Sequence, residues 1–137
     1  MINRFRGEYS FLSQMSQSRI EFEDGVYQSA EAAFQATKTM DLVERKKFEK
    51  MTSTEAKKAG RKLKLRKDWE EVKEQKMFKI LKAKFEQNPA LLKKLLATGE
   101  TELVEENYHG DKEWGVYKGV GQNKSGRLLM LVRENLK

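Results

Sequence analysis

The chain contains no cysteine. That excludes disulfides, a thiol nucleophile and thiolate metal sites, and a cytoplasmic location is its simplest reading. Histidine is nearly absent too. His109 stands alone, and one imidazole among scattered acids does not make a metal site, so no metal and no cofactor is expected. No apolar run is long enough to span a bilayer, and no basic-then-apolar leader follows Met1, so no membrane partner is expected. Linkers, internal repeats and low-complexity stretches are missing as well, which predicts one domain over residues 1–137 with one core. Gly119-Val-Gly-Gln-Asn-Lys-Ser125 lacks the Gly-Lys-Ser/Thr ending of a triphosphate loop, so NTPase activity is excluded.

What is present is charge and helix-forming residues. Only one proline occurs in 137 residues, and Lys, Glu, Leu and Ala are common. The fold class predicted is α+β, helix-rich, with a small N-terminal sheet. Residues 1–28 read as extended, with Asp24-Gly25 as a hairpin turn. Helices are predicted at about 29–40, 41–50, 54–63, 68–87 and 89–97, and a last one from about Ser125 to Asn135. Ser29, Asp41, Ser53, Asp68 and Asn88 are the expected N-caps, and Thr98-Gly99 the expected stop after 97. Glu102–Glu105 is expected as a short strand. Leu128, Leu129, Leu131, Val132 and Leu136 give the last helix its apolar side.

The net charge is +7, and its excess is local: residues 57–84 hold twelve Lys or Arg against four acids. Such a surface attracts phosphate, on a nucleotide or on nucleic acid; Lys79 and Lys82 read equally well as a solvated helix face.

Candidate chemistry begins at Ser29-Ala-Glu-Ala-Ala-Phe-Gln-Ala-Thr-Lys38. Glu31, Gln35 and Lys38 fall on one helical stripe, with Phe34 beside it and alanines keeping the helix thin. A thin helix lies close to other backbone and holds a first-turn carboxylate firmly. The same Glu also suits the helix dipole, and the stripe also suits a solvated face. Trp69 and Trp114 are the only tryptophans; a flat base stacks on such rings, and such rings also fill cores. On the helix from Asp68, Lys73 shares a ridge with Trp69, Met77 and Leu81, so it must snorkel or meet an anion. Arg61, Arg66 and Lys73 together suit a ribose phosphate. Asp111 lies in a Gly-flanked loop, where it reads as a turn residue or a second carboxylate.

Taken in order, the segments Glu8-Tyr-Ser-Phe-Leu-Ser13, Ser29–Lys38, Ala59-Gly-Arg61, Leu65–Met77, Lys84–Pro89, Leu95–Gly99, Asp111-Lys-Glu-Trp-Gly115 and Gly121–Met130 resemble the NADAR (YbiA-like) family over nearly the whole chain. The resemblance implies an N-glycosidase that cleaves a ribose C1′–N bond. Family substrates include phosphorylated ribosylamino-pyrimidine intermediates of riboflavin synthesis, and some members remove ADP-ribose from guanine bases. It implies Glu31 and Asp111 as catalytic. It matches Ser13, Trp69, Lys73, Trp114 and Asn123 to the family's cleft; Phe11, Phe34, Gln35, Lys38, Arg61, Arg66 and Gly115 complete the expected substrate contacts. The implied partner is a phosphorylated nucleoside-like small molecule, with ADP-ribosylated nucleic acid as the alternative. A non-catalytic nucleotide-binding module is the alternative from another class. Two positions depart from the family pattern: Gln14 stands where Asn usually follows the Ser, and Ala32 where His often follows the Glu.

Overall fold

A computed structural model describes residues 1–137. The chain forms two compact units, Gln14–Asn88 and Met1–Ser13 with Pro89–Lys137. In order, the elements are a 3-10 turn (Gly7–Leu12), β1 (Gln17–Phe22), β2 (Gly25–Ser29), α1 (Ala30–Ala36), α2 (Leu42–Lys47), a 3-10 turn (Phe48–Lys50), α3 (Ser53–Gly60), α4 (Trp69–Gln87), α5 (Pro89–Ala97) and α6 (Lys124–Asn135). The helix-rich α+β class with one small sheet is as the sequence predicts.

In the unit Gln14–Asn88, β1 and β2 form an antiparallel hairpin. Ser18 and Ile20 of β1 and Gly25, Tyr27 and Ser29 of β2 point inward, the alternation of a sheet with one covered face. The turn is one residue earlier than expected. Phe22 pairs with Gly25, so Glu23 and Asp24 form the loop, both at positive φ (46° and 67°). A two-residue loop demands that conformation to match the strand twist. Gly25 instead supplies space: a Cβ there would sit 2.5 Å from the Tyr27 hydroxyl. Ser29 then caps α1, its Oγ accepting from the Ala32 amide at 3.1 Å, a bond that stabilises a helix by about 1 kcal/mol.

Every residue of α1 is buried. The alanines make this possible, because a helix without long side chains can be packed on all sides. Asp41 caps α2 by accepting from Val43 and Glu44. The cap of α3 is Thr52 rather than Ser53, in a capping box with Glu55. Asp68 precedes α4 without capping it, because Arg66 holds its carboxylate. Asn88 donates back to the Lys84 carbonyl at 2.7 Å, so its amide serves the end of α4. Along α4, Trp69, Lys73, Met77 and Leu81 form the expected buried ridge, which runs on to Lys84 and Phe85.

In the other unit, residues 7–12 are helical, not extended. The expected strand at Glu102–Glu105 reduces to a single bridge, Ile2 to Leu103. Thr98 and Gly99 end α5, with Gly99 at φ +64°. On α6 the buried stripe is Ser125, Gly126, Leu129, Val132 and Arg133, while Leu131 is 56% exposed. Arg133 donates to the Thr98 hydroxyl (2.9 Å) and the Thr101 carbonyl (2.8 Å), tying α6 to the turn after α5.

Candidate active site

Glu31 sits in the first turn of α1 and is only 6% exposed. Each carboxylate oxygen has one amide donor. Gln35 Nε2 donates to Oε1 at 2.8 Å, from one helical turn further on. Gln14 Nε2 donates to Oε2 at 3.3 Å, and the Gln14 carbonyl also accepts from the Glu31 backbone amide at 3.0 Å. Gln14 is thus the loop residue that grips Glu31 from outside its helix. No cation pairs with this carboxylate, so its negative charge is fixed in place without being neutralised.

Gln35 is in turn held by α3. Its Oε1 is buried without a hydrogen-bond partner, and a Cβ on Gly60 would stand 1.9 Å from that oxygen. A buried acceptor left unpaired costs roughly 1–3 kcal/mol.

Near Glu31 lies a group of cations. Burial pushes the Lys38 amine below its ordinary value; Glu31 opposes this, and Arg61 and Lys73 add to it. Glu31, Arg61 and Lys73 therefore lie within electrostatic reach of the Lys38 amine. The Lys38 and Arg61 side chains make no ion pair or hydrogen bond. Lys73 is buried and bonds Glu70 at 2.7 Å. Of the sequence-selected residues, Gln35 bonds Glu31, and Lys38 lies within electrostatic reach of Glu31, Arg61 and Lys73.

Three further candidates in this unit have structural occupations. Arg66 clasps Asp68 with Nε and Nη2 (2.6 and 3.2 Å) and donates from Nη1 to the Thr37 carbonyl. Its backbone amide bonds the Lys38 carbonyl at 2.8 Å, which anchors the chain after α1. Trp69 is 6% exposed, and its ring packs 5.0 Å from Phe34 at a 52° tilt. Such a pair contributes about 0.5–1.5 kcal/mol beyond area burial.

In the other unit, Asp111, Trp114 and Gly115 share one loop. Asp111 Oδ1 accepts from the amides of Glu113 (3.0 Å) and Trp114 (2.9 Å), closing a turn, while Oδ2 has no protein partner. Asn107 braces the loop, accepting from Asp111 N and donating to Asp111 O. Gly115 is required by close approach: a Cβ there would stand 2.4 Å from the Glu105 carbonyl. Trp114 is half-buried, and Lys124 Nζ lies 5.6 Å above its ring. Asn123, in the left-handed conformation, accepts from Glu105 N and donates to Leu103 O, so it joins α6 to that segment. Phe11 is buried, with Lys94 Nζ 5.8 Å over its ring, and Ser13 ends the first 3-10 turn.

A carboxylate held by two amides, with unpaired cations in its neighbourhood, is chemically suited to hydrolysis. Comparison with known proteins gives the class of enzyme. A family profile described as NADAR domain matches residues 3–137. The N-glycosidase YbiA of Escherichia coli is 39% identical over 133 residues, covering 94% of this chain and 82% of that protein. The NMR structure of E. coli YbiA superposes with a TM-score of 0.88 at 37% identity, over 99% of this chain and 84% of that one. A riboflavin biosynthesis protein of Vibrio vulnificus is 47% identical over 72 residues, which are 52% of this chain and 19% of that protein. The chain belongs to the NADAR family. Its enzymatic class is that of an N-glycosidase.

Proposed function

We propose that the chain hydrolyses the ribose C1′–N bond of a phosphorylated ribosylamino-pyrimidine. The observation that carries this reading is the Glu31 carboxylate, held by two neutral amides, with the unpaired Lys38 and Arg61 in its neighbourhood. As the C1′–N bond lengthens, its electron pair leaves with nitrogen and positive charge gathers on the ribose. A carboxylate that no cation has neutralised stabilises that charge and accepts a proton from the attacking water. Water oxygen bonds C1′, the released proton reaches the departing nitrogen, and the products are a ribose phosphate and a free aminopyrimidine. Lys38 and Arg61 bind the phosphate, and Lys73 adds to the positive field. Asp111, whose Oδ2 is open, is the alternative carboxylate for the same chemistry. The names of the Vibrio relative and of YbiA support this choice.

A second reading is release of ADP-ribose from a guanine base in nucleic acid. One observation favours it: Lys58, Lys62, Lys64 and Lys67 are exposed and make no ion pair, which suits a polyanion. Incubating the protein with ribosylamino-pyrimidine phosphates, NAD, ADP-ribose and ADP-ribosylated DNA, followed by chromatography, separates the readings. Free aminopyrimidine supports the first. Free ADP-ribose from DNA supports the second, and no product from any of them removes both.

A further inference from the structure

Three features around Gln35 fit together. The side chain is 5% exposed, so its amide has no water to satisfy it. Nε2 donates to Glu31 Oε1 at 2.8 Å, while Oε1 is buried and unpaired. And Oε1 occupies the place a side chain on Gly60 would take: a Cβ would lie 1.9 Å from Oε1, 2.6 Å from Cδ and 3.2 Å from the Gln35 Cβ. Gly60 closes α3 and has no positive φ, so backbone freedom does not explain a glycine there. Space does. The amide has two orientations, and the reverse one would turn an oxygen lone pair onto a carboxylate oxygen. The orphaned Oε1 is therefore the counterpart of the bond to Glu31.

From this we propose that Gly60 and Gln35 form a positioning relay, in which the bare backbone of Gly60 seats the Gln35 amide and that amide fixes the Glu31 carboxylate. Neither residue touches the reacting atoms. The relay rests on the reading of Glu31 as the reacting carboxylate, though the seating itself does not. A methyl group on residue 60 has to displace Gln35, because a contact of 1.9 Å is not tolerated by any real packing and Gln35 belongs to a buried helix.

The test compares the full chain with Gly60→Ala, Gln35→Met and the double variant. Met fills the space of Gln without the amide donor. Turnover of a ribosylamino-pyrimidine 5′-phosphate is followed together with the ¹³C resonance of the Glu31 side-chain carboxylate. Each single variant is expected to lower kcat about 10-fold or more with KM changed less than about 2-fold, and to move the Glu31 resonance. The double variant is expected within about 2-fold of the worse single, because both changes cut the same chain of contacts. Multiplicative losses in the double overturn the relay, as does Gly60→Ala with an unmoved Glu31 resonance. Should Gly60→Ala fail to fold, an unmoved resonance in Gln35→Met overturns it alone. Glu31→Gln separates the two failures. If that variant keeps its rate, the functional reading falls while the resonance still decides the seating. If it is inactive and Gly60→Ala is fully active, the relay alone falls.

Discussion

The Nζ of Lys84 donates to the Oγ of Ser16 at 3.2 Å, from a side chain with no exposed surface. Burial pushes this amine down to about 7 from the ordinary lysine value of 10.5. Between those two values the unfolded chain binds a proton that the folded chain does not. Stability contributed by this site therefore rises with pH from about 7 to about 10.5, and below 7 the full penalty for the buried charge is present. Replacing Lys84 by Met is expected to remove that pH dependence. Urea unfolding midpoints at pH 6, 8 and 10 for the two proteins check it: the difference between them should change with pH in the sense that favours the wild type as pH rises.

Glu31→Gln is expected to lower turnover by about 10²-fold or more. The structure adds a stability term. A carboxylate accepts from both Gln14 and Gln35, whereas an amide offers one oxygen, so one of those donors loses its partner. A loss of roughly 1–2 kcal/mol in a denaturant melt should accompany the rate change. Full activity in this variant would transfer the chemistry to Asp111.

Arg61 and Arg66 should respond differently although both are basic candidates. Arg61→Ala and Lys38→Ala are expected to raise KM for a phosphorylated substrate about 10-fold and to leave the melt unchanged, since neither side chain has a partner. Arg66→Ala is expected to cost roughly 1–3 kcal/mol of stability, because it strands Asp68 and the Thr37 carbonyl. A double Lys79→Ala, Lys82→Ala variant should turn over a small nucleotide normally. Steep salt-dependent loss of DNA binding in it would favour the nucleic-acid substrate.

For Asp111, the two oxygens separate structure from charge. Asp111→Asn keeps an acceptor at Oδ1 for Glu113 and Trp114, so the loop is expected to persist. Asp111→Ala removes that acceptor and should loosen the loop, seen as faster amide exchange at those two residues. A fall in kcat with Asn assigns a role to the carboxylate charge; a fall only with Ala assigns it to the loop.

Periodicity made most of the fold legible. The ridge Trp69–Lys73–Met77–Leu81 and the alanine-rich α1 were readable because burial follows helical spacing. Residues 7–12 were not, since a single 3-10 turn has no repeating pattern to detect. In the site, the sequence brings Glu31, Gln35, Lys38 and Lys73 forward by helical spacing. It cannot reveal that Gln14, distant in the chain, grips Glu31, or that Gly60 accommodates Gln35, because these depend on tertiary approach. Arg66 and Asn123 carry the residue types of ligand contacts, yet their polar atoms are taken up by Asp68 and Thr37 and by residues 103 and 105. Buried Lys84 was hidden among surface lysines of the same helix.

The rim of the hairpin has a consequence for how copies of the chain behave together. Outward-facing backbone groups of a two-stranded ribbon are open templates for strand recruitment. Here Gln87 bonds both the amide (2.7 Å) and the carbonyl (2.9 Å) of Glu21, and Asn88 takes the Arg19 carbonyl. Across the ribbon, the Val26 amide is taken by Glu49 Oε1 at 3.0 Å. Side chains of Gln87 and Asn88 at the end of α4, and of Glu49 in the turn after α2, thus occupy backbone positions on each margin that a further strand would need. Each group so taken is one fewer that a neighbouring copy could use to extend the ribbon.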